Sequence, residues 1–104
     1  MRALALALAL AACATPVERG PFALDALIAD APAYVAQRYR PNELPAALIA
    51  DLTAAGFQCQ DRASGSECGR ADPAFATCFD VYTVQIDAAA VRAEKNRRCL
   101  GGRP

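Results

Sequence analysis

Residues 57–70 read FQCQDRASGSECGR, and residues 78–99 read CFDVYTVQIDAAAVRAEKNRRC. Each stretch has small and polar residues near its middle and a cysteine on either side of them. If each stretch folds back on itself as an antiparallel hairpin, two pairs of cysteines come face to face, Cys59 with Cys68 and Cys78 with Cys99. Directly opposed residues have Cβ atoms about 4.5–5.5 Å apart, and the closest pairs can form a disulfide. The two stretches therefore predict two hairpins, each closed by a disulfide.

The same four cysteines have other conceivable uses. They allow three disulfide pairings, and their positions alone do not choose among them. Zinc sites usually contain two cysteines separated by two residues, and this chain has no such pair. We therefore expect structural disulfides, and neither a bound metal nor a cofactor.

The last part of the second stretch has two interpretations. As a strand it pairs with Phe79–Ile86 and sets Asp80 opposite Arg97. As a helix it would be capped by Asp87, with cations in its last turn and Gly101 just beyond. The strand is favoured, because a helix would leave the apolar strand before it with fewer partners.

Upstream of the hairpins, apolar residues recur with the period of a helix. One apolar face is formed by Leu24, Leu27, Ile28, Ala31 and Val35. Pro32 should kink or end this helix near Asp30, and a second piece is expected through Tyr34–Tyr39.

A further helix is indicated between residues 42 and 56. Asn42 can cap it, Pro45 is tolerated in its first turn, and Gly56 ends it. Its apolar stripe consists of Leu44, Leu48, Leu52 and Ala55. Because helices precede strands, the sequence predicts an α+β fold, with two N-terminal helices packed on a small antiparallel sheet of two hairpins and two disulfides.

The first thirteen residues have the three parts of an export signal, namely a basic start, a short apolar run of alternating alanine and leucine, and small residues before Cys13. The apolar run extends over roughly 18 Å as a helix, too short for a hydrocarbon core of ~30 Å. The segment Leu10-Ala11-Ala12-Cys13 resembles the lipobox of bacterial lipoproteins. This resemblance implies cleavage before Cys13, a diacylglyceryl thioether on its sulfur and an acylated new N-terminus. The alternative is ordinary signal cleavage, which would release a soluble protein that starts at Thr15.

The remaining chain is long enough for one small domain. Residues 1–12 are the predicted signal peptide, residues 13–20 the lipidated cysteine and tether, and residues 21–104 a single α+β domain. Ala14 and not an aspartate follows Cys13. By the resemblance to enterobacterial lipoproteins, this implies the periplasmic face of the outer membrane, with the lipid bilayer as the partner of acylated Cys13.

The composition gives little support for catalysis. The chain has no histidine, which excludes nucleophiles paired with imidazole and imidazole metal ligands. It has neither a G-x-S-x-G turn nor a glycine-rich phosphate loop. Two carboxylate pairs are candidate acid–base groups, Asp61 with Glu67 and Asp72 with Asp80, although a solvated surface is the favoured interpretation. We predict that the protein is not an enzyme.

The charges are segregated along the chain. Five basic residues lie between positions 92 and 103, against Glu94 alone. Four of them are a candidate contact for anionic lipid headgroups or an acidic partner: Arg92, Lys95, Arg97 and Arg98. The alternative is a solvated set of cations that blunts an exposed strand edge. Nucleic acid is not expected as a partner outside the cytoplasm.

Three functional classes remain open on these observations. The favoured one is an accessory or interaction module of the bacterial envelope that docks with an envelope protein. The second is an inhibitor of a lysozyme-like or proteolytic enzyme, for which an exposed rigid loop at Ser64–Ser66 would be the signature. The third is an enzyme, which would need a deep pocket lined by carboxylic acids.

Overall fold

The computed structural model describes residues 19–88 and 90–101. The elements follow in the order α1 (Leu24–Ala29), α2 (Ala31–Arg38), a 3₁₀ helix (Pro41–Glu43), α3 (Ala46–Ala54), β1 (Gln58–Arg62), β2 (Gly65–Phe75), β3 (Cys78–Asp87) and β4 (Val91–Cys99). The strands form one antiparallel sheet in the order β1-β2-β3-β4. The predicted signal peptide, Cys13 and all of the predicted tether except Arg19 and Gly20 lie outside the described residues.

The predicted α+β class is confirmed, and one of its details is corrected. The described residues form three α-helices, whereas the sequence predicted two. The two hairpins belong to one antiparallel sheet, because β2 pairs with β3 from Gly65 to Phe75. β2 consequently extends beyond the predicted strand, with an irregular register between Pro73 and Phe75.

The first helical pattern is divided between α1 and α2. The carboxylate of Asp30 accepts a hydrogen bond from the backbone N–H of Ala33 at 3.2 Å and caps α2. Pro32 lies in the first turn of α2, where its missing N–H has no cost. The break near Asp30 therefore follows from the proline, as the sequence predicts.

The start of the next helix differs from the prediction. Asn42 lies inside the 3₁₀ helix and does not cap α3, which begins only after Pro45. The reason is that a residue before proline is pushed out of the helical region, and Leu44 is accordingly extended, with a ψ of 145°. Gly56 follows the end of α3 with a φ of +93°, a conformation that favours glycine.

The registers of both outer hairpins match the predicted ones. Cys59 pairs with Cys68, and Cys78 pairs with Cys99. Both pairs form disulfides, with Cα–Cα distances of 4.0 and 3.9 Å. Residues 91–99 form a strand, so the helical interpretation of this segment was wrong. The reason is that the segment pairs with β3 over nine consecutive residue pairs, which satisfies the open side of β3 and the inward backbone groups of β4.

The helices pack on only one part of one sheet face. α1 and α2 contact β4, and α3 contacts β1. The fully buried side chains at the centre of this layer are Leu27, Leu48, Leu52, Cys68 and Val84. Along β3, the core cluster extends from Ile86 to Tyr82 and no further toward Cys78. We call the end of the sheet at the β1–β2 and β3–β4 turns the proximal end, and the end at the β2–β3 turn the distal end. No helix of the described part of the chain has the length and apolar character needed to cross a membrane.

Candidate functional site

Arg38 attaches the first described residues to the helices. Its Nη1 donates to the backbone carbonyls of Arg19 and Pro21 at 3.1 and 3.3 Å. Its Nε donates to a carboxylate oxygen of Asp51 in α3 at 3.1 Å. The guanidinium also lies within about 6 Å of the centroids of three rings, those of Phe22, Tyr34 and Tyr39. Only 9% of this side chain is exposed, so the arginine is an internal connector between these segments.

Two further contacts hold the same region together. Arg19 forms an ion pair with Glu43 in the 3₁₀ helix. The backbone N–H of Arg40 and the guanidinium of Arg19 hold the pKa of the Glu43 carboxyl below its usual range. Burial, together with a hydrogen bond to Asp51, raises the pKa of the Tyr39 hydroxyl above its usual value. The chain therefore enters the domain at Arg19, beside Tyr39.

An apolar cleft of about 800 Å³ marks the proximal end of the domain. It lies between α2, the 3₁₀ helix and the two hairpin turns, and its walls include Val35, Tyr39, Leu44, Ser66 and Ile86. Tyr39 thus borders both the cleft and the entry point of the chain. The N-terminal entry and the hairpin turns consequently share the proximal end.

A cluster of charged and aromatic side chains occupies the distal part of the same sheet face, beyond the helices. We call it the distal platform, and it comprises Arg70, Asp72, Phe75, Asp80, Tyr82, Lys95 and Arg97. Arg97 donates to both carboxylate oxygens of Asp80, at 2.9 and 3.2 Å. The ammonium group of Lys95 lies 3.9 Å from the same carboxylate. The hydrogen bond from Arg97 holds the pKa of the Asp80 carboxyl below its usual range.

Arg70 organises the inner border of the platform. Its Nε and Nη2 donate to the two carboxylate oxygens of Asp72 at 2.9 and 2.6 Å. Its Nη1 donates to the carbonyl of Ala55 at the end of α3, at 2.7 Å. The guanidinium lies over the rings of Phe57 and Tyr82, 5.4 and 5.2 Å from their centroids. Arg70 therefore links the platform to the helical layer.

Large apolar side chains are exposed at the distal end. The side chain of Phe75 is 59% exposed and that of Leu100 is 66% exposed. The guanidinium of Arg97 lies 4.9 Å from the centroid of the Phe75 ring. The backbone N–H of Leu100 donates to the carbonyl of Thr77 at 2.9 Å, which holds Leu100 beside the β2–β3 turn.

Of the two predicted carboxylate pairs, the structure brings one together and keeps the other apart. Asp72 and Asp80 are opposite each other in the β2–β3 register, but each is bound by its own arginine. Asp61 and Glu67 are not brought together, because their partners in the register are Ser66 and Gln60, which places them on opposite faces. Glu67 forms an ion pair with Arg62 at 2.8 Å.

The four predicted cations are divided between the two faces of β4. Lys95 and Arg97 lie on the face that carries the helices and bind Asp80. Arg92 and Arg98 lie on the other face, where Arg92 donates to the side-chain oxygen of Gln85 at 2.9 Å. The strand interpretation predicts this division. Two cations lie on each face of β4, so the four do not form one continuous patch.

The segment proposed as an inhibitory loop is short. Only Ala63 and Ser64 separate β1 from β2, and Ser66 is a half-buried strand residue that lines the apolar cleft.

Sequence reasoning missed Arg38 and Arg70. A spacing of two residues in a strand places Arg70 and Asp72 on one face, and this signal was available. Arg38 has no such signal, since its partners Asp51 and Arg19 lie 13 and 19 residues away.

No protein-family model, curated protein or solved structure matches this chain.

Proposed function

We propose that the protein is a non-catalytic interaction module of a bacterial envelope, anchored to the periplasmic face of the outer membrane by acylated Cys13. In this proposal the distal platform docks with an envelope protein. The observation that carries it is the platform itself, an ordered cluster of charged and aromatic side chains that extends from the buried Tyr82 to the exposed Phe75, beyond the part of the sheet face on which the helices pack.

The composition of the platform fits a protein interface. Arginine, tyrosine and phenylalanine are enriched in interface cores. The charges of Asp72 and Asp80 are already matched by Arg70 and Arg97, so a partner that covers them leaves no carboxylate unpaired. Phe75 and Leu100 add exposed apolar area at the same end.

The direction of the domain also supports this role. The chain enters at the proximal end, beside Tyr39. Ser66 at that end and Phe75 at the distal end are nine residues apart in β2, which corresponds to about 30 Å of strand. In this proposal an anchor on the N-terminal side leaves the platform at the opposite end of the domain, where it can contact proteins of the periplasm.

The proposal is tested by the size of the native particle. Envelopes are solubilised in mild detergent and separated by size, with the protein detected by immunoblotting. The wild type should elute in a complex well above the mass of the lone chain. The double variant Phe75→Ser, Leu100→Ser should elute alone, while Gln60→Ser, an exposed change on β1, should leave the complex intact.

The identity of the co-eluting protein separates the remaining functional classes. An envelope protein that is lost with the double variant supports the proposal. A lysozyme-like or proteolytic enzyme in its place would favour the inhibitor hypothesis. A wild type that elutes as a lone chain would contradict both.

A further inference from the structure

β4 is an edge strand with an open backbone. It pairs with β3 on one side, and no strand of the described chain lies on its other side. Every residue from Glu94 to Cys99 is exposed. The strand has nine residues, long enough for another extended chain to pair with it.

The ladder identifies which groups of β4 point outward. Hydrogen-bonded and non-hydrogen-bonded pairs alternate in an antiparallel ladder. Leu100 donates to Thr77, and Asp87 donates to Ala90, so these two pairs are hydrogen-bonded ones. Counting inward from either end, the pair of Tyr82 with Lys95 and the pair of Asp80 with Arg97 are non-hydrogen-bonded. The backbone N–H and C=O groups of Lys95 and Arg97 therefore point away from β3, toward the open side.

The charge of this edge discriminates between possible occupants. β4 contains four cations and one acid, Glu94. Two β4 strands paired antiparallel about Lys95 would place Lys95 against Lys95 and Arg92 against Arg98. Such like-charge contacts are destabilising in a sheet. A second copy of this chain paired in this register is thus disfavoured, whereas Asp or Glu side chains of a partner strand would oppose the excess positive charge of β4.

A second cleft continues the edge at its beginning. It has a volume of about 600 Å³ and lies between the junction of α1 with α2 and the first residues of β4. Its walls include Ile28, Pro32, Val91 and Ala93. A chain that runs along the edge therefore has room beside the helices at one end and meets Leu100, which directly follows β4, at the other.

We propose that β4 binds an extended acidic segment of a partner protein, which adds to the sheet as a fifth strand. This inference rests on the proposed role as an interaction module and specifies the chemistry of the partner. Hydrogen bonds to the outward groups of Lys95 and Arg97 provide the backbone contacts. The cations of β4 select acidic side chains, and the exposed Leu100 contacts an apolar residue at the end of the segment.

The test uses the full chain, purified in detergent, and synthetic nine-residue peptides in which glutamates alternate with valines or threonines. The matched peptides carry glutamine or lysine at the glutamate positions. The glutamate peptide should bind, the glutamine peptide at least tenfold more weakly, and the lysine peptide not at all. Binding should also weaken as salt is raised, because these charges are exposed.

Two substitutions of one residue separate backbone pairing from charge. Lys95→Gln removes the charge but keeps the outward N–H, so it should lower affinity only a few-fold. Lys95→Pro removes both, and because this N–H is not used in the ladder with β3, the sheet should remain intact. The proline variant should bind at least tenfold more weakly than the glutamine variant. Circular dichroism and retention of both disulfides establish that each variant is folded.

Amide hydrogen exchange in the wild type gives a readout that does not depend on any variant. Binding of the glutamate peptide should slow the exchange of the Lys95 and Arg97 amides strongly. The amide of Asn96, which already bonds to β3, should change little. Binding without this protection, or equal binding by the proline and glutamine variants, would overturn strand addition in favour of side-chain docking alone. Concentration-dependent dimerisation that the peptide does not disturb would overturn it in favour of a second copy.

These results stay separate from those of the native-particle experiment. Peptide binding with the expected protection, but a lone chain in solubilised envelopes, would retain the edge site and reject the proposed cellular role. A native complex that depends on Phe75 and Leu100, with no peptide binding, would retain the proposed cellular role and reject the edge site.

Discussion

At the scale of single residues, Arg38 contacts three separate parts of the chain. It binds the backbone of residues 19–21, the carboxylate of Asp51 and the rings beside it. The donor in these hydrogen bonds is a charged guanidinium, and each bond of this kind contributes about 1.5–3 kcal/mol to the stability of the fold. The entry of the chain into the domain depends on these contacts.

Replacing Arg38 should therefore reduce stability clearly. We expect Arg38→Met to lower the free energy of unfolding by about 2–3 kcal/mol, since it leaves two carbonyls without their donor and Asp51 with only the Tyr39 hydroxyl of its two donors. The matched control is Arg98→Met, which removes an exposed arginine of β4 and should change stability by less than about 0.5 kcal/mol. Urea unfolding with both disulfides intact measures the two variants. Equal losses in both would contradict the role given to Arg38.

Asp80 gives a prediction for acidic pH. The pKa of its carboxyl is lowered by Arg97, so the folded state holds the ionised form more tightly than the unfolded state does. This stabilisation is present above the unfolded pKa of about 3.9 and is lost as the pH falls through the folded pKa. The unfolding temperature of Asp80→Asn should therefore lie below that of the wild type at pH 7. The two temperatures should approach each other near pH 2. The exposed Gln60→Ser, which removes no titratable group, should show no comparable dependence on pH.

Cys13 gives a prediction about location, motivated by the segment Leu10-Ala11-Ala12-Cys13. Cys13→Ala should abolish retention in the membrane fraction, because the proposed attachment consists of acyl chains on this sulfur and on the new N-terminus. A palmitate analogue should label the wild type and not the variant. An unlabelled wild type in the soluble fraction that starts at Thr15 would show ordinary signal cleavage.

At the scale of elements, the two outer hairpins could be predicted because their information is local. Each consists of one turn with cysteines placed symmetrically about it, so the register fixes both Cys59–Cys68 and Cys78–Cys99. The pairing of β2 with β3 carries no such mark. Its strands meet at an irregular register near Pro73, and the sequence alone therefore did not reveal that β2 and β3 are the strands that join the two hairpins.

The platform could not be predicted for a related reason. Asp80 and Arg97 were placed opposite each other from the register of the hairpin. Arg70 lies near Asp80 only because β2 pairs with β3, and it contacts Ala55 only because α3 packs on the sheet. Both placements result from long-range packing, which no spacing in the sequence indicates.

The two disulfides should each stabilise the fold substantially. Replacing Cys59 and Cys68 together by alanine should lower the free energy of unfolding by about 2–5 kcal/mol, which is a large part of the stability of so small a domain. Digestion without reduction, followed by mass spectrometry, should yield the peptides linked through Cys59–Cys68 and Cys78–Cys99. A peptide linking Cys59 to Cys78 or to Cys99 would contradict the hairpin registers.

At the scale of the whole molecule, the described chain has two different ends. The proximal end combines the chain entry at Arg19 with the hairpin turns and the apolar cleft. The distal end combines the platform with the exposed Phe75 and Leu100, and β4 runs between the two ends as an open edge. This polarity suits a domain that is anchored on one side and docks on the other.

The central claim is that the distal end contacts a partner while the protein is anchored, and photo-crosslinking in intact cells tests it most directly. A photoreactive amino acid is introduced at position 75, and at position 60 on β1 as the matched exposed control. We expect a discrete adduct with one envelope protein from position 75 and none from position 60, while both photoreactive variants remain in the membrane fraction. Membrane-retained protein that gives no adduct from position 75, or the same adducts from both positions, would contradict it.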